Sequence, residues 1–168
     1  REYCQHLFLS HLYQLPGSEQ LLFKGGTALR IIFHSPRFSE DLDFTGVKIA
    51  QHKVEELFIN TLSTIEKTGI PVVLKEGKCT TGGYLGIFEF SVYDKITEIY
   101  FEVSLRNDNL IKRISGVRTL IENDYIQPYT LVHLSKEEII KGKIQALINR
   151  RKPRDFYDYF FLLSGNYP

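Results

Sequence analysis

The chain has 168 residues, of which 43% are hydrophobic and 24% charged, a composition typical of a globular protein with one hydrophobic core. The net charge of +1 excludes a surface that is basic overall, so nucleic acid could be held only at a local patch. Two cysteines, Cys4 and Cys79, are too few for a disulfide framework, and no apolar run reaches the length of a membrane span. These properties predict a cytoplasmic protein with no membrane association.

The first half of the chain predicts helices separated by short extended segments, because its apolar residues recur with helical spacing and then alternate. A glycine pair, Gly25-Gly26, follows a short apolar run, and Thr27 stands where the N-cap of the next helix would stand. Helices are predicted over residues 2–15, 27–34 and 49–67, and a strand is predicted over residues 41–45.

The second half is rich in β-branched and aromatic residues, which favour strands, and it ends in two helical segments. Ser135 and Glu138 form a capping box that predicts the start of the first of these helices. Strands are predicted over residues 72–74, 84–93, 96–105, 117–121 and 129–133, and helices over 135–151 and 155–163.

The predicted fold class is α+β, with one mixed β-sheet, flanking helices and a helical C-terminal part from about residue 135. We expect a single domain over residues 1–168, since no repeat or long linker interrupts it. The chain begins at Arg1 and contains no methionine, so we also expect it to be truncated at one or both ends.

The sequence EDLDFTG places two aspartates, Asp41 and Asp43, on either side of one leucine. On a strand both carboxylates point to one face, while Leu42 and Phe44 point to the other. Two carboxylates about 5–7 Å apart, as the strand rise implies, repel each other unless a cation lies between them. Mg²⁺ takes one or two carboxylates and leaves its other positions to water and phosphate oxygens. The pair therefore predicts a metal site, with a solvated strand face as the alternative.

The glycine pair makes the metal prediction more specific. A Gly-Gly turn at a helix start lets backbone N–H groups approach a phosphate, and the helix dipole adds attraction. Paired glycines alone are more often a simple turn, but here only a short helix separates them from the aspartates. A third acidic position would complete a two-metal site, and ITEIYFEVSL puts Glu98 and Glu102 on one strand face. We favour Glu102 because its neighbours are more apolar; a polar solvent-facing strand is the alternative.

Three parts of the chain together resemble a known family. GGTALR followed by RFSEDLDF, and the C-terminal KIQALINRRKPRDFYDYFFLL, are similar to the signatures of the nucleotidyltransferase AbiEii/AbiGii toxin family, within the polymerase-beta-like nucleotidyltransferase superfamily. The resemblance covers roughly residues 20–45 and 129–163, with the predicted strand at 96–105 in the expected place between them. It implies a nucleotidyltransferase-like fold.

The resemblance also implies a role for each matching residue. The nucleotide would be bound by Gly25, Gly26, Thr27, Ser39 and Lys143. Mg²⁺ would be held by Asp41, Asp43 and Glu102, and the catalytic set would be Asp41, Asp43, Glu102, Lys143 and Asp155. From the residues alone, Lys143 and Arg150 share one helix face, with Ile144, Leu147 and Ile148 largely on the core side. The alternative is that Lys143 and Asp155 form structural ion pairs, with Asp155 capping the last helix.

The implied reaction is Mg²⁺-dependent transfer of a nucleoside monophosphate from a nucleoside triphosphate to an acceptor hydroxyl. RNA, in particular tRNA, is the expected acceptor, and the protein would be the toxin of a toxin–antitoxin or abortive-infection system with a cognate antitoxin. The alternative is a catalytically inactive module on the same fold that binds a nucleotide or a protein. A haloacid-dehalogenase D-x-D-x-T motif is disfavoured because polar SPRFSE precedes the aspartates, and the glycines fit neither a Rossmann nor a P-loop motif.

Overall fold

The computed structural model describes residues 1–92, 94–105 and 116–165. The helices are α1 (Glu2–Leu12), α2 (Gly25–Phe33), α3 (Gln51–Glu66), α4 (Lys136–Asn149) and α5 (Pro153–Ser164). The strands are β1 (Leu21–Lys24), β2 (Leu42–Gly46), β3 (Val72–Thr80), β4 (Gly83–Val92), β5 (Lys95–Leu105), β6 (Val117–Ile121) and β7 (Tyr129–His133). Within these ranges, no helix combines the length and the apolar character that crossing a membrane requires.

The described strands form one mixed sheet in the order β3-β4-β5-β2-β1-β7-β6. β1 pairs antiparallel with β2 and parallel with β7, and β2 pairs parallel with β5, so the central strands come from distant parts of the sequence. Antiparallel pairs flank this centre on both sides. Because β1 and β2 are antiparallel, the end of β1 lies beside the start of β2, which places the glycine pair next to the aspartates.

The larger hydrophobic core lies between one face of the sheet and helices α1 and α3, and aromatic rings fill it. Phe8, Phe58 and Phe101 are fully buried. The rings of Phe58 and Phe101 stack with centroids 4.9 Å apart, and those of Phe8 and Phe101 are 5.5 Å apart. Each such pair contributes about 0.5–1.5 kcal/mol beyond the burial of apolar area. Gly86 of β4 leaves room for Phe58, since a Cβ there would overlap its ring.

Alternation along the central strands sends polar residues to the opposite face of the sheet. The apolar neighbours of Asp43 and Glu102 belong to the aromatic core: Leu42, Phe44, Phe101 and Val103. Asp43 and Glu102 therefore point to the other side. A smaller apolar cluster joins α2, α4 and α5 to that side, and its members are Leu22, Leu29, Val132, Leu134, Ile139 and Leu162. The C-terminal helices thus pack over the face that carries the acidic residues.

The predicted α+β class and mixed sheet are confirmed, and most elements begin and end within a few residues of their predicted bounds. Thr27 is not an N-cap, because α2 begins at Gly25 and Lys24 occupies the N-cap position. The strand predicted over residues 72–74 extends to Thr80. The prediction is too short because β3 is an edge strand, and its exposed side chains carry no apolar pattern that would reveal its full length. Tyr93, the end of the strand predicted over 84–93, lies outside the described residues.

The predicted orientation of α4 is wrong. Ile139 and Lys143 are its buried residues, whereas Ile148, expected on the core side, is 61% exposed. The reason is that α4 packs over the polar face of the sheet and over α5, where a buried carboxylate receives Lys143. Helical periodicity identifies the two faces of a helix, but the chemistry of the neighbouring surface decides which face turns inward.

Candidate active site

A cleft of about 620 Å³ lies between the acidic face of the sheet and the C-terminal helices. It brings together residues from α2, from the segment before β2, from β5 and from α4. Its polar and glycine lining includes Lys24, Gly25, Gly26, Arg37, Ser39, Asp41, Asp43, Glu102, Lys143, Arg150, Arg154 and Asp158. Of the site residues predicted from sequence, only Thr27 and Asp155 are not part of this lining.

Strand register makes Asp43, Glu102 and Lys24 neighbours. Asp43 is paired with Glu102 across the parallel β2-β5 ladder and with Lys24 across the antiparallel β1-β2 ladder. Residues paired in this way point to the same face, so the lysine and the two carboxylates form one row. Lys24 Nζ also donates a hydrogen bond to Ser104 Oγ at 3.2 Å. Glu98, the other candidate third acid, is paired with Glu89 of β4 and lies outside the cleft lining.

Asp41, Asp43 and Glu102 form an acidic cluster, and Lys24 compensates its negative charge only in part. Burial raises the pKa of Asp43; Lys24 opposes this shift, and the charge of Asp41 adds to it. Burial also raises the pKa of Glu102, with further contributions from Asp43 and Asp41 and an opposing one from Lys24. A cation bound among these groups would favour their ionised forms.

The glycine pair allows α2 to begin against the acidic cluster. Gly25 has a φ of +84°, a left-handed conformation that glycine adopts without strain. A Cβ at Gly25 would overlap the Asp43 carboxylate, and a Cβ at Gly26 would overlap the side chains of Arg37 and Ser39. In the described part of the chain the N-cap residue, Lys24, makes no side-chain capping hydrogen bond, so the first N–H groups of α2 can bind an anionic group in the cleft.

Lys143 and Arg37 share a buried carboxylate, Asp158 of α5. Lys143 Nζ donates to Asp158 Oδ2 at 2.7 Å, while Arg37 donates from Nε to Oδ1 at 2.6 Å and from Nη2 to Oδ2 at 2.9 Å. Asp158 is 1% exposed. Two cations on one carboxylate leave this part of the cleft lining with a net positive charge. Asp158 lies one helical turn beyond Asp155, a spacing that could have indicated it from the sequence.

Asp155 lies outside the cleft lining but binds Arg150, a residue of that lining. It is fully buried and accepts two hydrogen bonds from Arg150, from Nε at 2.9 Å and from Nη2 at 2.7 Å. The hydrogen bonds from Arg150 lower the pKa of Asp155. Arg150 lines the cleft, whereas Lys152, not Asp155, is the N-cap of α5. Asp155 therefore orients the guanidinium group of Arg150, which lines the cleft. The assignment of Asp155 as a catalytic residue stays a prediction.

Thr27 is also placed behind the lining. It is fully buried, and its Oγ1 donates a hydrogen bond to the carbonyl of Asp41 at 2.5 Å. Lys24, Arg37 and Arg154, in contrast, line the cleft although they are not among the site residues predicted from the sequence. Lys24 ends the short apolar run before the glycines, but only the β1-β2 ladder pairs it with Asp43. Arg37 and Arg154 stand within the RFSEDLDF and C-terminal motifs, but their place in the cleft depends on how the segment before β2 and α5 pack.

The donor chemistry of the cleft fits a hard divalent cation that is shared with a phosphate ligand. Within the described ranges, no group of three or more histidine, cysteine, aspartate or glutamate side chains converges so as to hold a metal ion. Mg²⁺ needs only one or two carboxylates when water and phosphate oxygens complete its shell. Asp41 and Asp43 supply such a pair at the cleft wall, and Glu102 lies beside Asp43.

The fold is shared with solved structures, nucleotidyltransferases among them. JHP933 from Helicobacter pylori has a TM-score of 0.66 and 23% identity over 96% of this chain and 64% of that chain. A putative nucleotidyltransferase from H. pylori has a TM-score of 0.65 and 22% identity over 96% of this chain and 66% of that chain. MenT4, nucleotidyltransferase toxin Rv2826c from Mycobacterium tuberculosis H37Rv, has a TM-score of 0.67 and 20% identity over 94% of this chain and 55% of that chain. The chain thus spans about two thirds or less of these proteins, which share its fold.

The sequence profile of the family described as nucleotidyl transferase AbiEii toxin, type IV toxin–antitoxin system, matches residues 7–168, and the chain belongs to that family. This is the family that the glycine, aspartate and C-terminal motifs resemble, so the predicted family is confirmed. No curated protein sequence matches the chain significantly.

Proposed function

We propose that this protein transfers a nucleoside monophosphate from a nucleoside triphosphate to an acceptor hydroxyl, with Mg²⁺ held by the pair Asp41 and Asp43 and with Glu102 joining them when the nucleotide binds. The observation that carries the proposal is the meeting, in one cleft, of these carboxylates with the uncapped start of α2 and with a pair of cations. Membership in a family of nucleotidyltransferase toxins supports the same reaction.

In the proposed reaction, the acceptor oxygen forms a bond to the α-phosphorus while the bond between that phosphorus and the bridging oxygen breaks. Pyrophosphate leaves with the electron pair, and the hydroxyl proton passes to the carboxylates of the cleft. A bound divalent cation would neutralise the phosphate oxygens and lower the pKa of the acceptor hydroxyl. Negative charge grows on the leaving pyrophosphate, so fixed cations beside it stabilise the transition state.

The roles of the lining residues follow from their positions around the cleft. Gly25 and Gly26 bring the start of α2 beside Asp43, where its N–H groups would bind phosphate oxygens. Ser39, next to Gly26, would add a hydroxyl donor. Lys143, held by Asp158 in the cleft lining, would bind the leaving phosphates. Glu102 would act as the third acidic residue.

We further propose RNA, in particular tRNA, as the acceptor. Four exposed basic residues lie in and beside the turn between α4 and α5: Arg150, Arg151, Lys152 and Arg154. Two of them, Arg150 and Arg154, line the cleft. This local patch would bind an RNA backbone although the net charge of the chain is only +1. The type IV toxin–antitoxin description of the family supports a cognate antitoxin as a partner. A cytoplasmic location agrees with the free thiols of Cys4 and Cys79.

Transfer is tested by incubating the protein with each α-³²P-labelled nucleotide, total RNA and Mg²⁺, with EDTA in a parallel reaction. We expect label in RNA only when the metal is present. Asp41→Asn and Asp43→Asn remove charge at nearly constant volume, so both variants should fold. Each should transfer roughly a thousandfold more slowly, because losing metal-based charge stabilisation costs about 4 kcal/mol of activation free energy.

Glu102→Gln and Glu98→Gln form a matched pair for the third acidic position. Both residues lie on the same face of β5, four positions apart, but only Glu102 lines the cleft. We expect Glu102→Gln to abolish transfer and Glu98→Gln to leave it unchanged. If the double variant Asp41→Asn, Asp43→Asn transfers nucleotide at the wild-type rate, the proposed nucleotidyltransferase activity is refuted. Nucleotide binding by the wild type without any transfer would favour the inactive binding module instead.

A further inference from the structure

The segment that leads into β2 is held by side chains rather than by the sheet. Residues 39–41 belong to no helix or strand, yet all three carbonyl groups accept hydrogen bonds. Gln5 of α1 donates from Nε2 to the carbonyl of Ser39 at 3.0 Å and to that of Glu40 at 2.8 Å. Thr27 of α2 donates from Oγ1 to the carbonyl of Asp41 at 2.5 Å. Gln5 and Thr27 therefore form a carbonyl clamp on three consecutive peptide groups.

Both donors of the carbonyl clamp are buried, with Gln5 1% and Thr27 0% exposed. A buried donor that loses its acceptor costs about 1–3 kcal/mol, so each side chain holds its carbonyl partner firmly. The two residues lie on different helices, and their donors meet the same short segment. The segment is thus fixed relative to α1 and to the start of α2 at once.

The clamped segment carries two residues of the cleft, Ser39 and Asp41. Asp43 needs no such support, because ladder partners on both neighbouring strands fix its position. Asp41 precedes the first residue of β2 and lies outside both ladders. The distance between the two aspartate carboxylates therefore depends on where the clamp holds the peptide group of Asp41.

We propose that Gln5 and Thr27 are positioning residues that set the spacing of Asp41 and Asp43 for a divalent cation. The inference rests on the proposed function, in which these two aspartates receive the metal. Neither clamp residue is part of the cleft lining, so both act through the backbone of the segment before β2. Residues that orient metal ligands typically change metal affinity or activity 10–100-fold when they are removed.

Thr27→Val tests the inference because it keeps the shape of the side chain and removes its donor. Thr27→Ser restores the donor. Thr61→Val is the matched control, since Thr61 is also 0% exposed and donates from Oγ1 to the carbonyl of Leu57 at 2.7 Å, but within α3. Gln5→Leu removes the other half of the clamp independently, which keeps the test valid if one variant does not fold.

The measurements are the affinity for Mn²⁺ in the presence of a non-hydrolysable nucleotide analogue, the Mg²⁺ concentration that half-activates transfer, and Tm. We expect Thr27→Val and Gln5→Leu to raise the Mn²⁺ dissociation constant and the half-activating Mg²⁺ concentration by about tenfold or more. Thr27→Ser should recover most of this loss. Thr61→Val should lower Tm by a similar amount and leave both metal constants unchanged.

Wild-type metal constants in both Thr27→Val and Gln5→Leu would overturn the clamp's role while leaving the proposed function intact. Equal weakening of metal binding by Thr61→Val would show that Thr27 acts only through general stability, and would overturn it too. A wild-type protein that binds no Mn²⁺ and transfers no nucleotide would instead refute the proposed function, and the inference with it.

Discussion

At the scale of single residues, the unexpected member of the cleft is Lys24, which stands in the same row as two acids. It is paired with Asp43 in the β1-β2 ladder, and Asp43 is paired with Glu102. Its positive charge lowers the pKa values of both carboxyl groups, against the effect of burial. The lysine therefore helps to keep the acidic cluster ionised, which is the state that binds metal.

Lys24→Gln should move the acid limb of the pH–rate profile for nucleotide transfer to higher pH. Removing the cation raises the pKa values of Asp43 and Glu102 further, so more of the enzyme is protonated and inactive at a given acidic pH. Measuring kcat/KM from pH 5 to 9 checks this, and the loss relative to wild type should be largest at the acidic end. Lys78→Gln, on the edge strand beside Glu76, is the control. An acid limb at the wild-type position would contradict the assigned role.

At the scale of elements, one ion pair organises the turn between α4 and α5. α4 ends at Asn149 and α5 begins at Pro153, and Arg150 in the turn donates both hydrogen bonds to Asp155 in the first turn of α5. The fixed φ of Pro153 suits the first position of a helix. The pair therefore holds the angle between the two helices and the direction of Arg150 into the cleft.

Asp155→Asn should lower the free energy of unfolding by about 1.5 kcal/mol at pH 7, because it weakens charge-assisted hydrogen bonds whose cationic partner is partly exposed. The folded pKa of Asp155 lies below its ordinary value of 3.8. Its stabilisation is therefore complete above that pH and is lost as pH falls through the folded pKa.

Urea unfolding of both proteins at pH 7, 5 and 3 measures this effect. The difference between wild type and Asp155→Asn should be equal at pH 7 and 5 and smaller at pH 3. The exposed Asp124, changed to Asn, serves as the control and should show almost no difference at pH 7. A difference that is as large at pH 3 as at pH 7 would mean that the charge of Asp155 is not what stabilises the turn.

At the scale of the whole molecule, the two apolar clusters lie on opposite faces of the sheet, and Asp158 ties the C-terminal helices to the rest of the protein. The cluster that joins α4 and α5 to the sheet is much smaller than the aromatic core. Asp158 adds to it by binding Arg37, in the segment before β2, and Lys143 of α4. The same contact also holds Arg37 and Lys143 in the lining of the cleft that contains Asp41, Asp43 and Glu102.

Asp158→Asn should therefore affect both stability and nucleotide binding. Losing the shared carboxylate charge leaves two cations close together and partly buried, which costs about 3 kcal/mol. At about 2–4 °C per kcal/mol for a chain of this size, Tm should fall by roughly 10 °C. The dissociation constant for a nucleoside triphosphate, measured by calorimetry well below Tm, should rise, because Lys143 and Arg37 lose their common anchor. Unchanged nucleotide affinity together with a lower Tm would make Asp158 purely structural.

The sequence by itself determined the local features of the site. Period-two alternation in EDLDF predicts that Leu42 and Phe44 are buried and that Asp43 points away from them, and all three are so placed. The same alternation predicts that Phe101 and Val103 lie in the core with Glu102 on the other face. These features could be predicted because the direction of a side chain on a strand depends only on its position along that strand.

Only the tertiary structure decided which residues from different elements meet. The row of Lys24, Asp43 and Glu102 forms only because β1, β2 and β5 are neighbours in the sheet. The sequence of one strand does not reveal its neighbours, since the backbone hydrogen bonds between strands are the same for any side chains. Lys143 is buried because it binds Asp158, a partner on another helix. This contact outweighs the apolar pattern of α4. Such contacts are non-local, so the packing of the two sheet faces sets them, and no spacing within one segment encodes them.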